Sequence, residues 1–360
     1  MEALYVHIPF CSHICSYCDF CKVYYQEDWA SQYLDALFYE MTEKQLPKSF
    51  QTIYIGGGTP SALSHQQLEK LLSILEPYSH QVKEYSIEVN PESVTIDKLK
   101  LMKKYGINRL SVGVQTFQDS LLPDIERYHT SSQAIEIIQQ AYELGIHDIN
   151  VDLIYGLPHQ TIEDVKKDIE IINQLPISHV SIYSLILEDH TILKNQGYQP
   201  LDEEQDALWY EFINKELAKN GFQHYEISNY YKTKPSYHNL TYWHYKEYEG
   251  IGLGAHALKN HQYIENTKSL QQYFKHHFIK EVTSLSQDDE LFEKLMMGLR
   301  LTEGVCIDEI NQLYQRDFLN EYHDVIEKHM RLHTLVIEDG YLKTTPQGMN
   351  CLNAILIDFL

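Results

Sequence analysis

Six short runs of β-branched, aromatic and other apolar residues recur through the first two thirds of the chain, and a segment with helical spacing follows each run. The runs cover residues 4–8, 52–55, 85–89, 109–114, 150–154 and 180–185. Strands that are separated by a helix are expected to run parallel, because so long a connection excludes a tight hairpin. The sequence therefore predicts an α/β fold built on an open, partial (β/α)6 barrel, smaller than the full barrel of eight units.

Two of the helical segments carry a clear start signal. Ser64 with Gln67, and Thr130 with Gln133, have the spacing of a capping box, in which each side chain satisfies the other residue's backbone N–H. Apolar residues then follow at helical spacing, and in the first segment these are Leu68, Leu71, Leu72 and Leu75.

Polar residues and glycines follow the predicted strands at the points where the strands end. Residues 56–59 are Gly-Gly-Gly-Thr, Glu88 and Asn90 bracket the end of the third run, Gln115 ends the fourth, and Asp152 lies in the fifth. Each has an ordinary explanation, since glycines turn chains and strand-end carboxylates are often solvated. Together they indicate a site at the carboxyl ends of the strands, where barrels of this class place their chemistry.

The strand and helix repeat stops after Asn229, and a second break lies near residues 284–289. Beyond it, two helical segments precede a hairpin with the turn Asp339-Gly340, which suggests a small winged-helix-like α+β domain. We therefore expect three parts: a barrel over residues 1–229, a connector over 230–285 and the C-terminal domain over 286–360.

Composition limits the classes of function. The chain has 360 residues, of which 43% are apolar, and a formal net charge of −22. Such a charge disfavours binding to nucleic acid or to an anionic membrane surface. The sequence has no recognisable leader and no apolar stretch long enough to span a bilayer, so we expect a cytoplasmic protein.

Four of the six cysteines fall within eleven residues, which indicates metal binding rather than disulfides. Cys11, Cys15 and Cys18 have x3 and x2 spacing directly after the first strand. Three thiolates can hold a [4Fe-4S] cluster and leave one iron open to a small chelating molecule. Zinc is the alternative, although four-cysteine zinc sites normally repeat a C-x2-C pair. Cys21 is a fourth ligand, an off-register remnant or an ordinary thiol.

This spacing, with Tyr17 before the last cysteine, resembles the radical S-adenosylmethionine (SAM) superfamily. The resemblance implies that the amino and carboxylate groups of SAM chelate the open iron, and that an electron from the cluster cleaves SAM to a 5′-deoxyadenosyl radical. The Gly-rich run at residues 56–60 resembles the segment that meets the amino group of SAM, where a Cβ would block close approach.

Longer stretches resemble coproporphyrinogen III dehydrogenase (HemN) and its relatives: YVHIPFC, YIGGGTPS, IEVNPES, RLSVGVQTF, ERYH, VDLIYGLPHQT and YEISNY. By this resemblance Tyr5, Gly57 and Glu88 contact SAM, and Arg127 lies near the carboxylate of SAM. Five further positions match contacts of the dehydrogenase with nucleoside groups or a second SAM: Tyr17, Gly58, Thr59, Gln115 and Asp152.

Three features resemble the sister family of heme chaperones, HemW. Phe20 stands where the dehydrogenase has cysteine, Cys11 comes almost at once in the chain, and residues 238–243 match the HNxxYW motif. The resemblance implies heme binding, with His238 as the first choice of iron ligand and with Tyr242 and Trp243 as flat contacts. The alternative is that His238 is an ordinary hydrogen-bonded histidine, with Tyr242 and Trp243 filling the core.

The implied function is that of a heme carrier with a [4Fe-4S] cluster and SAM. It would pass heme to acceptor proteins, by resemblance those of the respiratory chain, through transient contact with a membrane protein. One rival is the dehydrogenase itself, and another is a radical SAM enzyme with a different substrate. The sequence leaves open whether SAM is turned over and whether the chain is a monomer or a dimer.

Overall fold

The computed structural model describes residues 1–360. Its strands are β1 Ala3–Ile8, β2 Phe10–Cys11, β3 Val23–Tyr24, β4 Thr52–Gly57, β5 Glu84–Val89, β6 Arg109–Gln115, β7 Asp148–Tyr155, β8 His179–Ser184, β9 Gln223–Glu226, β10 Asn229–Tyr231, β11 Tyr248–Ile251, β12 His256–Lys259, β13 Gln262–Asn266, β14 Ile279–Ser284, β15 Val305–Cys306, β16 Leu335–Glu338 and β17 Tyr341–Thr344.

The α-helices are α1 Glu27–Glu43, α2 His65–Ser79, α3 Ile96–Lys104, α4 Ser131–Glu143, α5 Ile162–Ile172, α6 Ile192–Asn195, α7 Glu203–Lys219, α8 Tyr237–Trp243, α9 Leu270–Phe274, α10 Gln287–Gly298, α11 Ile307–Tyr314, α12 Phe318–Glu321, α13 His323–Arg331, α14 Pro346–Asn350 and α15 Leu352–Ile357. Two short 3-10 helices cover Pro60–Ala62 and Pro123–Ile125.

The predicted parallel unit of six strands is confirmed. Strands β1, β4, β5, β6, β7 and β8 lie side by side in that order, and every neighbouring pair runs parallel. Both capping boxes are present, at the starts of α2 and α4. The four leucines of α2 are buried in the main apolar core, as their spacing predicts.

The same sheet continues on both sides of this unit. Strands β10 and β9 follow β8 in antiparallel order. On the other side β11 runs parallel to β1, and β12, β13 and β14 follow it in antiparallel order. Residues 230–285, expected to be a connector, thus supply strands to the sheet, because β11 fills the hydrogen-bonding edge that β1 would otherwise expose. The domain boundaries at 229 and 285 stay predictions.

The C-terminal part combines helices with a small antiparallel sheet, as predicted for the α+β domain. β15 follows α10, and helices α11 to α13 separate it from β16 and β17, with which it forms the three-stranded sheet β15-β17-β16; α14 and α15 follow. Asp339 and Gly340 form the predicted hairpin turn between β16 and β17, both with positive φ. Leu291, Leu295 and Leu342 belong to an apolar cluster that is separate from that of the large sheet.

None of the helices has both the length and the apolar character that spanning a lipid bilayer requires.

Candidate cofactor site

Cys11, Cys15 and Cys18 lie on the loop that follows β1, at the carboxyl end of the parallel strands. A short parallel ladder between β2 and β3 closes the loop. Within the loop the backbone N–H of Cys18 donates to the carbonyl oxygen of Cys15 at 3.2 Å. Nζ of Lys22 donates to the carbonyl oxygen of Cys18 at 2.6 Å. The loop therefore keeps its three thiols on one compact turn.

The environment of these thiols affects metal loading. Burial raises the pKa of Cys11 to about 12, and burial also raises the pKa of Cys18. Thiolates, not thiols, bind iron in Fe–S clusters. Loading the loop with a cluster must therefore release protons.

Two glycines at the end of β4 bring its backbone against the cysteine loop. Gly57 has φ 118°, and a Cβ at this position would lie 2.6 Å from the His7 ring. A Cβ at Gly58 would lie 2.9 Å from Sγ of Cys11. The next residue, Thr59, donates its hydroxyl to the same sulfur at 3.6 Å. Side chains at the glycine positions would push the loop away from the strand end.

Arg127 is buried next to the loop and is only partly satisfied. One terminal nitrogen, Nη2, donates to Oδ1 of Asn90 at 3.2 Å and also to the carbonyl oxygen of Gly113. The other, Nη1, lies 3.8 Å from Sγ of Cys15. Its buried Nε has no hydrogen-bond partner. Because an unpaired buried donor is costly, this group fits a carboxylate ligand.

Two partly buried carboxylates face the same space. Oε1 of Glu88 accepts from the Tyr54 hydroxyl at 2.9 Å, and Oε2 accepts from the N–H of Gly57 at 3.0 Å. Burial raises the pKa of Glu88 to about 7. The carboxylate of Asp152 accepts from Ser111 at 2.8 Å, and burial raises the pKa of this group as well. Both carboxylates can accept hydrogen bonds from hydroxyl or ammonium groups.

These groups line one cavity of about 380 Å³, which we call the strand-end cavity. Most of the predicted site residues border it, namely Cys15, Tyr17, Cys18, Gly57, Gly58, Thr59, Glu88, Gln115, Arg127 and Asp152. The cavity also includes polar side chains that the resemblance did not select: Tyr54, Asn90, Ser111 and Tyr183. Asn90 belongs to the polar residues that the sequence places at the ends of the strands. Tyr54, Ser111 and Tyr183 lie on three different strands. Side chains alternate between the two faces of a strand, and these three point to the face that borders the cavity.

A second cavity, of about 530 Å³, adjoins the first. We call it the aromatic cavity, because its walls include the rings of Tyr5, Phe20, Tyr242, Tyr245, Tyr248 and Tyr263. Asp19, Phe20, Gly57 and Glu88 line both cavities. Tyr5, predicted to contact SAM, borders only this second cavity, where its hydroxyl lies 3.0 Å from Nδ1 of His7.

The HNxxYW motif forms helix α8, and a distant carboxylate anchors the start of this helix. Glu84, the first residue of β5, is buried. It accepts from the hydroxyl of Ser236 at 2.8 Å and from the N–H groups of Tyr237 at 2.8 Å and His238 at 3.0 Å. A negative charge at this helix end satisfies the free N–H groups and complements the helix dipole.

His238 is buried with both ring nitrogens engaged. Nδ1 lies 2.8 Å from the hydroxyl of Thr52, and Nε2 lies 2.8 Å from the hydroxyl of Tyr242. The ring stacks on Tyr54 with centroids 5.1 Å apart. Burial lowers the pKa of His238 to about 3, so the imidazole is neutral. Iron could bind His238 only after one of these two hydroxyl partners is displaced.

Tyr242 is central to the motif, because it contacts His238 and shares a cleft with Trp243. Tyr242 lines the aromatic cavity, whereas His238 faces the start of β4. Trp243 borders clefts beside α10, and the Arg300 guanidinium lies 6.0 Å from its ring. Residues one turn apart on a helix share a face, which is why His238 and Tyr242 meet. The structure thus brings Tyr242 together with both His238 and Trp243, whereas His238 itself lines neither the aromatic cavity nor the cleft that Tyr242 and Trp243 share.

An open parallel sheet with a three-cysteine loop after its first strand defines a radical SAM protein. Residues 5–172 match the Radical SAM superfamily, and residues 285–350 match the HemN C-terminal domain. Within this superfamily the chain belongs to the HemW family. It is 38% identical over 377 residues to heme chaperone HemW of Lactococcus lactis, across 100% of this chain and 97% of the relative.

Other comparisons agree with this assignment. The chain is 35% identical over 382 residues to heme chaperone HemW of Bacillus subtilis, across 100% of this chain and 99% of the relative. Coproporphyrinogen III oxidase (HemN) from Escherichia coli has a similar structure, with a TM-score of 0.88 at 22% identity. That match covers 99% of this chain and 90% of HemN, and it shows the fold. The family predicted from the sequence is confirmed.

Proposed function

We propose that the chain is a heme chaperone that carries a SAM-coordinated [4Fe-4S] cluster, binds heme and delivers it to acceptor proteins. The aromatic cavity beside the cysteine loop carries the proposal, because a tetrapyrrole needs a large site with flat apolar walls. Membership of the HemW family supports the same function, since the relatives are named heme chaperones.

The cysteine loop and the strand-end cavity fit the cluster and SAM. Cys11, Cys15 and Cys18 would each hold one iron, which leaves the fourth iron for SAM. The unpaired Nε of Arg127 suits the carboxylate of SAM, and Glu88 offers an acceptor to its hydroxyl or ammonium groups. Bound SAM supplies reductive cleavage chemistry when an electron reaches the cluster. The remaining proposed SAM contacts are Tyr5, Tyr17, Gly57, Gly58, Thr59, Gln115 and Asp152.

Heme contact by His238, Tyr242 and Trp243 stays a prediction from the motif. Tyr242 already lines a cavity of suitable size. A role for His238 as iron ligand requires that its hydrogen bond to Tyr242 be exchanged for a bond to iron.

The proposed acceptors are heme proteins of the respiratory chain, which a cytoplasmic carrier would meet transiently. The net charge of −22 disfavours lasting attachment to an anionic membrane surface, so recognition of the acceptor protein itself must direct the encounter.

Hemin titration of anaerobically reconstituted protein tests the proposal. We expect iron and sulfide in the purified chain, a saturable shift of the Soret band on adding hemin, and transfer of heme to a heme-free acceptor protein. A chain that leaves the hemin spectrum unchanged would refute heme carriage. Stoichiometric zinc without iron or sulfide would refute the cluster.

A second assay addresses the dehydrogenase activity that the HemN-like fold allows. The reduced, reconstituted protein is incubated with SAM and coproporphyrinogen III in the absence of oxygen. We expect no protoporphyrinogen, and its formation would overturn the chaperone proposal in favour of an oxidative decarboxylase.

A further inference from the structure

The aromatic cavity has the size and the walls of a cofactor site. Its volume of about 530 Å³ lies within the roughly 300–1,000 Å³ of small-molecule sites. Its walls come from parts of the chain that are far apart in sequence: the ends of β1, β4 and β5, the end of the cysteine loop, the segment from α8 to β11, the hairpin β12–β13, and Met297 of α10. The rings of Tyr242 and Tyr248 pack edge to face, with centroids 4.7 Å apart, and form one firm wall.

Two histidines line this cavity, and only one of them is free to bind a metal. Nδ1 of His7 lies 3.0 Å from the hydroxyl of Tyr5, and Nε2 lies 2.7 Å from the carbonyl oxygen of Cys21. The ring of His256 forms no hydrogen bond within the chain. His256 is exposed at the edge of the cavity. Partial desolvation and the nearby Lys268 and Lys280 lower its pKa, against the effect of Glu265, which leaves a neutral imidazole with an available lone pair.

The position of His256 on its strand directs it towards the cavity. His256 begins β12 and pairs with Glu265 of β13, while Leu258 pairs with Tyr263. Directly paired residues of an antiparallel ladder share a face. Leu258 and Tyr263 both line the cavity, so His256 and Glu265 lie on the cavity side of the hairpin. A carboxylate beside a ligating imidazole can accept its second N–H and fix the tautomer.

Positive charge is also available at this cavity. Lys246 and Lys268 both line it, in a chain whose formal net charge is −22. Lys246 forms no ion pair, and Lys268 pairs only with Glu265 at 3.4 Å. Ammonium groups at the edge of an apolar site suit a ligand that combines a flat apolar body with carboxylates.

The thiol of Cys21 lines the cavity as well. Burial raises the pKa of this thiol, so binding iron through its sulfur would require the release of a proton, as at Cys11. A neutral imidazole binds iron without losing a proton. His256 is therefore the better donor.

We propose that heme lies in the aromatic cavity with the imidazole of His256 as an axial ligand of its iron, and with Lys246 and Lys268 beside its propionates. This inference rests on the proposed heme-carrying function. It gives that function a location and a ligand outside the HNxxYW motif.

Hemin binding by histidine variants of the full reconstituted chain tests the ligand. The variants are His256→Ala, His238→Ala and the control His261→Ala, an exposed histidine at the turn of the same hairpin that contacts Glu290 at 2.9 Å. We expect His256→Ala to weaken hemin binding roughly tenfold or more, since even outer changes at metal sites cost about 10–100-fold. The control should bind like the wild type.

Spectroscopy separates direct ligation from a loss of structure. We expect His256→Ala to lose the electron paramagnetic resonance signature of imidazole-bound ferric heme. His256→Gly should regain this signature when free imidazole is added. Changing Lys246 and Lys268 to Gln should weaken binding of hemin but not of its dimethyl ester.

The outcomes distinguish the two proposals. If His256→Ala retains wild-type affinity and signature, the ligand lies elsewhere and this inference is wrong, whereas heme carriage survives. If wild-type protein fails to bind hemin, the proposed function itself is wrong.

Discussion

Glu88 should make SAM binding depend on pH near neutrality. Its carboxylate is held in the strand-end cavity by Tyr54 and by the N–H of Gly57. Burial is the main cause that raises its pKa to about 7, and nearby Asp152 acts in the same direction. The hydrogen bonds from Tyr54 and Gly57 act in the opposite direction. We expect SAM to bind mainly to protein with an ionised Glu88, because protonation removes the negative charge and turns one carboxyl oxygen into a donor.

The size of the effect follows from the ionised fraction. With a pKa of about 7, Glu88 is about 90% ionised at pH 8 and about 10% ionised at pH 6. The apparent dissociation constant is the intrinsic value divided by the fraction in the competent state. Affinity for SAM should therefore fall about tenfold, or about 1.4 kcal/mol, as the pH decreases from 8 to 6.

Anaerobic equilibrium dialysis of SAM against reconstituted protein at pH 6, 7 and 8 measures this dependence. Glu88→Gln removes the titrating carboxylate, so it should bind SAM more weakly at pH 8 and with a shallower pH slope. Glu226→Gln is the matched control, because Glu226 is also buried with a pKa of about 7 but borders a different cleft. A slope in Glu88→Gln as steep as in the wild type would refute the assignment, since SAM titrates identically in both.

Three further predictions concern stability. Burial raises the folded pKa of Glu226 from 4.5 to about 7, so the free energy of unfolding of the wild type falls as the pH rises between these values. Relative to the wild type, Glu226→Gln should therefore be more stable at pH 8 than at pH 4.5 by up to about 3 kcal/mol, measured by urea unfolding. The same stability difference between variant and wild type at both pH values would contradict this. Glu84→Ala removes the acceptor of the Tyr237 and His238 N–H groups and should therefore speed hydrogen exchange of residues 237–243. Unchanged exchange would show that Glu84 does not stabilise the start of α8. Leu342→Ala should lower the free energy of unfolding by about 2–5 kcal/mol, and a loss below 1 kcal/mol would mean that the C-terminal core collapses around the change.

The cysteine loop and the strand-end cavity could be predicted from the sequence because the patterns that determine them are local. The x3 and x2 cysteine spacing fits three thiols onto one turn, and β1 ends immediately before it. The polar strand-end residues meet because parallel neighbours present their carboxyl ends at one edge of the sheet. Asp152 and Gln115 therefore reach one cavity although they lie 37 positions apart in the sequence. Alternation along the strands would also have found Ser111 and Tyr183.

The surroundings of α8 depend on contacts that are distant in sequence. Residues 238–243 are too short to predict a stable isolated helix. Their helix is held by Glu84, more than 150 positions earlier. The parallel pairing of β11 with β1 is equally non-local, because Tyr248 lies opposite Ala3. No pattern in either segment specifies the partner.

Non-local contacts also decide which of the 19 histidines has a ring nitrogen free to bind iron. A sequence shows which side chains can bind iron, but whether a nitrogen is free depends on tertiary contacts. His238 lies within the motif, and its burial against Thr52 and Tyr242 occupies both nitrogens. His256 has no motif to mark it, yet the pairing of β12 with β13 places its unpartnered ring beside the cavity that Tyr242 also lines. Availability of the donor atom, rather than residue type, therefore favours His256 as the ligand.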